Sequence, residues 1–461
     1  MSPSRRLALA FALLFALSQA LLWWAYYAHG AKPLIGDEAG YQQTALAILA
    51  GGAWMPGTIW PPLQPLILAA VYAVAGVHVL AAQLLQTVLF IGCAILLRDL
   101  WRRLGGRVRA ANAAAALFLL NPATAAYAQW LWPEIPHLFL LLAVLCLLAR
   151  SASARRGFAA GVCIGLALLA KSLLSAFWPL FLLAYVRRVR PWFAWRPALA
   201  LVFGAAIVTA PALWHGWRTY GTPMIADSSV YNLWVGLGDR WRSDYVLDRG
   251  GATLPEFLAS APTPQQRNAI YLDKVRRLVA ERGVADIAAA QLGRQYFRLL
   301  SAKTPLVSQL PGPACAGHLS IYTTSPWLTQ TLTRANDVFH AFTLAAAAFG
   351  IALWRWRRTS SAAVPPRDAQ AQRVLAILVL FVAYQLTLFA LVHVKARFFL
   401  PLTPIACGFA GSFLADLRDR QIGAATALAW TPLRIAIAAL LALLLLVLAF
   451  AGPALDGLCA A

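Results

Sequence analysis

The chain has 461 residues, 61% hydrophobic and only 12% charged, with a mean hydropathy of +0.66 and a formal charge of +22. Soluble domains are about 45–50% apolar and about 25% charged, so this composition excludes a soluble globular protein, a disordered chain and a collagen-like one. The positive charge finds its explanation in membrane topology and calls for no nucleic-acid partner.

Apolar runs near the length that crosses a bilayer, about 17–25 residues, predict spans at 7–28, 79–100, 110–131, 134–149, 157–177, 172–186, 197–214, 336–353, 374–394, 398–415 and 435–452. The pair between 157 and 186 is hard to divide near Lys171. The run LQPLILAAVYAVAGV, 63–77, is short and follows prolines, and is read as lying along the membrane surface or re-entering it. With these spans Arg5, Arg6 and the basic residues of 98–109, 150–156, 187–196, 355–373 and 418–434 fall on one side, which carries a net +18 against +4 on the other. Basic residues mark the cytoplasmic side. The amino terminus is therefore expected inside, and the loop 31–77 and the long segment 215–335 outside. Eleven spans put the carboxyl terminus outside as well. The first run is read as a retained span and not a cleaved signal. It exceeds the usual core of about 7–15 residues, and Trp23, Trp24, Tyr26 and Tyr27 form an interfacial aromatic belt.

The expected architecture is an all-α polytopic membrane protein of about eleven transmembrane helices with a smaller mixed external domain. It divides into an amino-terminal transmembrane module over 1–214, an external segment over 215–335 and carboxy-terminal transmembrane helices over 336–461. Within the external segment, periodicity predicts helices at 264–282 and 284–300. The first places Ile270, Leu272, Val275, Leu278 and Val279 on one face, and the second Ile287, Leu292, Tyr296 and Leu299. Lys274, Arg276, Arg277, Arg294, Arg298 and Lys303 are expected to face water or lipid phosphates. Prolines and glycines in 305–326 mark a loop, and 359–373 is a linker. Of the six cysteines, four read as apolar packing residues, and no spacing suggests a metal site. Cys315 and Cys459 are both expected outside, where a disulfide is permitted, though nothing in the sequence pairs them.

The most informative stretch is GDEAGYQQTALAILAGG, 36–52, directly after the first span. Asp37 would cap a short amphipathic helix beginning near Glu38, with Tyr41, Leu46, Ile48 and Leu49 toward the membrane. Capping uses one acid, and two adjacent carboxylates at a membrane surface also suit general-base chemistry. Glu134, between Pro133 and Pro136, reads either as a favourable acid at a helix start or as a second acid of a cavity. His137 reads as structural. Lys171, Arg218, Lys395 and Arg397 map to the external ends of spans. Lys171 interrupts an apolar run, so it is either a functional cation or one snorkelling from a helix end.

The order of motifs resembles the GT-C membrane glycosyltransferases, in the branch of protein O-mannosyltransferases (glycosyltransferase family 39) and lipid A aminoarabinose transferases. Gly36-Asp37-Glu38-Ala39-Gly40-Tyr41 looks like that branch's DEA-x-Y opening of the first external loop, and Trp60-Pro61-Pro62-Leu63-Gln64-Pro65 like its PPL-x-P. Trp132-Pro133-Glu134-Ile135-Pro136 is similar to a glutamate-headed helix on the external side. The stretches ending at Lys171 and running from Tyr231 to Gly236 follow in order. Ala396-Arg397-Phe398-Phe399-Leu400-Pro401 resembles an arginine-aromatic-x-x-P segment.

This resemblance implies a polyprenyl-phosphate sugar donor and transfer of its monosaccharide to an acceptor hydroxyl or amine, on a lipid, glycolipid or protein, at the external face. It implies Asp37 as the general base. Glu38 would be its partner, raising Asp37's basicity by like-charge repulsion or binding acceptor hydroxyls. Arg397, Lys171, Lys395 and Arg218 are the candidates for the donor phosphate. Tyr41, Trp60, Glu134 and Asn232 are the candidates for the substrate cavity, Asn232 and Trp234 having packing of the external segment as their alternative role. Some relatives carry a basic residue where this chain has Trp60. No cofactor is expected. Asp37, Glu38 and Glu134 would be the ligands of a divalent ion such as more distant oligosaccharide transferases use, which the closer branch does not require. The branch points to a bacterial inner membrane. A lipid or solute transporter is the alternative function, but it predicts inverted repeats that the sequence lacks and leaves the external segment idle. An assembly protein and a lipid-linked glycan polymerase or ligase are further alternatives.

Overall fold

The structure is a computed structural model that describes residues 3–451 apart from 28–29, 31, 35–36, 56, 58, 188–189, 239–253, 294, 303–325, 355–368, 393 and 423–427. Cys315 and Cys459 lie outside the described residues. Among those described the chain is helical throughout, with α1 (Pro3–Tyr27), α2 (Asp37–Leu49), α3 (Leu63–Ala75), α4 (Val79–Arg103), α5 (Val108–Leu120), α6 (Pro122–Tyr127), α7 (Glu134–Leu148), α8 (Ala154–Ala170) and α9 (Trp195–Tyr220). The external segment follows as α10 (Ser229–Gly238), α11 (Leu254–Ala259), α12 (Pro264–Arg282), α13 (Val284–Leu292) and α14 (Gln295–Leu300). The chain closes with α15 (Pro326–Leu353), α16 (Ala369–Leu391), α17 (Thr403–Gln421) and α18 (Pro432–Phe450).

Among the described residues, seven helices are long and apolar enough to cross a membrane: α1, α4, α9, α15, α16, α17 taken with the 3₁₀ turn before it, and α18. The other expected spans are shorter. Asn121 and Pro122 divide 108–127 into α5 and α6, and Asn121 caps α6 by accepting from the Thr124 N–H at 3.0 Å. Helix α7 has 15 residues, about 22 Å at the rise of an α-helix. The span expected over 172–186 is a correction. After Lys171 the chain leaves the α-conformation and passes through 3₁₀ turns at Ser172–Leu174 and Trp178–Tyr185, with Pro179 near the start of the second. Short helices and 3₁₀ backbone are tolerated at membrane depth when protein, not lipid, surrounds them. Helix α7 meets that condition, being buried on nearly every face.

Close packing between helices comes from small residues. Gly157, Gly161 and Gly165 form one stripe on α8, and a Cβ at Gly161 would sit 2.0 Å from the Leu201 carbonyl oxygen of α9. Gly204 of α9 answers against the Phe158 carbonyl, and Gly411 of α17 lies on α5. With lipid on both sides of the comparison, van der Waals contact replaces the hydrophobic effect as the force joining helices. The outward face of α9 carries exposed Leu199, Phe203 and Ile207 between Trp192 and Trp195 at one end and Trp214 and Trp217 at the other. From Trp195 to Trp214 the helix rises about 30 Å, the thickness of a bilayer core.

Arginines from three of the arginine-rich segments, 98–109, 150–156 and 418–434, gather at one end of the bundle. Asp99 receives Arg103 at 2.9 Å and Arg150 at 3.1 Å, and Asp419 receives Arg107 together with Arg109 at 2.7 Å. Arg434 donates to the Trp354 carbonyl at 3.1 Å. At the opposite end of α4, Gln83 and Gln86 meet the loop that leads into α7.

The regular structure of the external segment is helical in its described residues. The first expected helix forms as α12, whereas the second, expected over 284–300, ends at Leu292 with Gly293 as its cap and resumes as α14, and the inward faces differ. In α12 the buried residues are Arg267, Tyr271 and Val275, while Ile270 and Leu272 are exposed. The cause is Asp227, buried in the preceding loop, which takes the Arg267 guanidinium at 3.0 Å and so turns that face inward. Leu292 is exposed, and Arg298, expected at the surface, is buried.

Candidate active site

Four segments far apart in sequence deliver four charges to one place. Asp37 opens α2 and Glu134 opens α7, where an acid is favoured by the helix dipole. Lys171 follows the last residue of α8, and Arg397 lies in the 3₁₀ turn Ala396–Leu402 that precedes α17. Arg397 Nη2 stands 3.0 Å from Asp37 Oδ2, and its Nε 3.7 Å from Glu134 Oε1. Lys171 Nζ donates to the same Glu134 oxygen at 2.9 Å. The result is an alternating chain, Asp37–Arg397–Glu134–Lys171. The Trp132 ring lies 4.5 Å beneath the Arg397 guanidinium, and the Phe398 ring 4.8 Å from the lysine ammonium.

The chain is graded in exposure. The Glu134 side chain is 4% exposed and the Asp37 side chain 35%, so the cluster opens to solvent at Asp37. Three buried polar atoms around it have no hydrogen-bond partner: Glu134 Oε2, Trp132 Nε1 and His137 Nε2. Buried polar groups are otherwise almost always satisfied, and exceptions gather at functional sites. Tyr41, one turn after Asp37, is buried and packs on Trp60 with ring centroids 5.3 Å apart. It therefore faces protein and not the membrane, while Leu46 and Leu49 of the same helix are exposed as expected.

Glu38 does not partner Asp37. Neighbouring residues on a helix point about 100° apart, and Glu38 turns into the core. There it meets Lys32 Nζ at 2.7 and 2.9 Å, with both side chains fully buried, and accepts the Leu131 N–H at 2.9 Å. Lys32 sits over the Trp130 and Tyr26 rings at 5.1 and 5.8 Å. Burial pulls the Lys32 ammonium below its usual pKa, and the Glu38 carboxylate opposes that shift. Gln64, Gln83 and Gln86 clamp the same loop, donating to the carbonyls of Leu131, Gln129 and Trp130 at 3.0, 2.8 and 2.6 Å. This polar scaffold fixes the loop that presents Trp132 and Glu134. Sequence reasoning passed over Lys32 and the three glutamines, although polar side chains inside apolar runs were a visible signal.

Two further candidates lie elsewhere. Arg218 is exposed at the end of α9, 5.8 Å from the Trp214 ring. Asn232 bonds back to the Ser228 carbonyl at 2.8 Å within its own helix turn. Both were placed by span-end position and motif order, which carry no direction for the side chain. Lys395 immediately precedes the turn that holds Arg397. Among the described residues, no group of three or more His, Cys, Asp and Glu side chains is arranged to hold a metal ion.

Residues 315–453 match the model of the Alg9-like mannosyltransferase family. Among solved structures the chain is similar to the archaeal oligosaccharyltransferase AglB from Archaeoglobus fulgidus, in complex with an inhibitory peptide and a dolichol-phosphate. That similarity is at 13% identity and a TM-score of 0.45, covering 98% of this chain and 55% of that one. It is also similar to ArnT from Cupriavidus metallidurans bound to undecaprenyl phosphate, at 14% identity and a TM-score of 0.36, covering 89% of this chain and 79% of that one. This chain thus spans little more than half the length of the archaeal structure. No curated protein matches it. The family match, over the carboxy-terminal part that includes Arg397, supports the GT-C superfamily of membrane glycosyltransferases, the class that the motif order resembles.

Proposed function

We propose that this protein is a membrane glycosyltransferase that moves a monosaccharide from a polyprenyl-phosphate donor to an acceptor hydroxyl or amine at the external membrane face, with Asp37 as general base. The observation that carries this reading is the Asp37–Arg397–Glu134–Lys171 chain, assembled from four segments at the end of the bundle opposite the arginine-rich one. Its partly exposed carboxylate and two cations supply what the reaction needs, and the unpartnered Glu134 Oε2 and Trp132 Nε1 offer an acceptor and a donor for sugar hydroxyls.

The acceptor oxygen or nitrogen bonds to the anomeric carbon while the bond from that carbon to the phosphate oxygen breaks. The acceptor proton passes to Asp37, and the bonding electron pair leaves with the polyprenyl phosphate. Arg397 and Lys171 balance the charge that grows on the leaving oxygen. In the resting arrangement Arg397 is bound to Asp37. A donor phosphate competes for that guanidinium, draws it from Asp37 and so frees the base when the donor arrives. Glu134 holds both cations in position meanwhile.

In this topology the amino terminus is cytoplasmic and the site periplasmic, in a bacterial inner membrane. The gathering of Arg103, Arg107, Arg109 and Arg150 at the far end of the bundle supports that orientation. The test compares wild type with Asp37→Asn in lipid, incubated with a panel of polyprenyl-phosphate sugars with and without cell-envelope acceptor extract. Sugar-dependent release of polyprenyl phosphate should fall about 10²–10⁴-fold in the variant. Equal release by both proteins removes Asp37 as the base.

A further inference from the structure

Arg155 lies in the first turn of α8 and Arg196 in the first turn of α9, and both are exposed. They stand at one corner because Gly157 lets the two backbones touch, where a Cβ would sit 2.2 Å from the Pro197 carbonyl oxygen. The helix dipole disfavours a cation at this end, so helix stability explains neither arginine. The sequence has no acid between Glu134 and Asp227, and among the described residues no carboxylate pairs with Arg155 or Arg196. Their neighbours are already engaged: Arg150 is bound to Asp99, and Arg156 donates to the Ser151 carbonyl at 2.8 Å. Like charges held side by side repel, so this corner calls for an anion from outside the chain.

An apolar seat continues from the pair along both helices. Phe158 follows Arg155 by three residues on α8. Leu199 and Phe203 follow Arg196 by three and seven on α9, so each set shares one face of its helix. All three are exposed, and the Phe158 and Phe203 rings meet with centroids 6.1 Å apart, which joins the two faces. Trp195 is exposed beside the pair, its ring 5.4 Å from the Arg196 guanidinium. An amphipathic indole next to a cation, with apolar residues beyond it, marks headgroup depth in a bilayer.

We propose that this corner binds an anionic phospholipid, with Arg155 and Arg196 holding the headgroup phosphate and Phe158, Leu199 and Phe203 seating an acyl chain. Arginine forks match the paired oxygens of a phosphate. Two cations with no acid beside them favour a headgroup whose phosphate charge is not cancelled by its own ammonium, such as phosphatidylglycerol or cardiolipin. The apolar seat favours a lipid over a free phosphate, which would use the arginines alone. Lys171 follows the other end of α8, about 24 Å along the helix. The lipid site is therefore separate from the candidate active site and independent of the transferase reading.

The test titrates delipidated full-length protein in detergent with phosphatidylglycerol, cardiolipin or phosphatidylcholine and follows the first lipid bound by native mass spectrometry. Wild type should hold the two anionic lipids more tightly than phosphatidylcholine. A basic residue near an anionic headgroup strengthens association about fivefold. The double variant Arg155→Gln with Arg196→Gln should therefore weaken anionic-lipid binding about 25-fold and leave phosphatidylcholine unchanged. Phe203→Ala should weaken all three lipids alike, because it removes the acyl seat and keeps the charge. Arg276→Gln with Arg277→Gln, an equal loss of charge on α12 of the external segment, is the control and should match wild type. The single variants Arg155→Gln and Arg196→Gln, each expected to lose about fivefold, answer the question if the double variant does not fold. Equal binding of anionic and neutral lipids by wild type overturns the proposal. So does unchanged affinity in the double variant, or the same loss in the control pair. Displacement of the lipid by millimolar inorganic phosphate overturns it as well, by making the corner a site for free anions.

Discussion

The two buried ionic regions beside the first span begin from adjacent residues and reach opposite ends. Glu38 is sealed in the core with Lys32, both side chains fully buried, and it also accepts the Leu131 N–H. Asp37 stays 35% exposed, and its partner Arg397 is shared with a second acid. A dedicated, fully desolvated pair resists exchange, because removing either member leaves a bare charge in the core. A shared and partly solvated chain exchanges partners at lower cost, which an arriving phosphate requires. The first region is scaffold and the second is site, and the comparison shows that charge density alone does not separate the two.

Breaking the scaffold should have the largest effect. Lys32→Met leaves Glu38 buried without its cation and should destabilise the protein by about 3–5 kcal/mol, read as loss of folded protein in thermal unfolding in nanodiscs. Adding Glu38→Leu should restore only part of that stability, because the Leu131 N–H still lacks its acceptor. A single variant that unfolds at the wild-type temperature would erase the contrast between the regions.

In the site the loss should fall on activity. Arg397→Lys keeps the charge but gives up the fork that spans Asp37 and Glu134. Transfer should drop about 10²-fold with the unfolding temperature little changed, and a large drop in stability would make Arg397 scaffold as well. Next in size is Gly161→Leu, which forces a side chain against the Leu201 carbonyl. Overpacking costs typically about 1–3 kcal/mol, with activity declining only as folded protein is lost. The smallest effects belong to Arg218→Ala and Asn232→Ala. Outside both regions, each should shift stability by no more than about 0.5 kcal/mol and leave transfer at the wild-type rate. A defect in transfer for either would return it to the cavity.

The sequence by itself determined the membrane class, the positions of the long helices and the asymmetry of basic residues. These depend on composition and run length, which need no knowledge of folding partners. It also marked Asp37, Glu134, Lys171 and Arg397, since a charge at the edge of an apolar run is conspicuous and the motif order supplied the company they keep. Only the tertiary structure decided how those four divide from their neighbours. The turn of a helix sends Glu38 inward and Asp37 outward, and no pattern in DEAGY names Lys32 as the partner. Arg218 ends a span as Lys171 follows one, yet one faces outward and the other faces Glu134. The 3₁₀ passage over 172–185 looks apolar enough to be a transmembrane helix, yet it leaves the α-form after Lys171, with Phe181, Ala184 and Tyr185 buried and Leu183 exposed. Hydropathy records how much a segment dislikes water, whereas direction and partner are set by contacts between residues hundreds of positions apart.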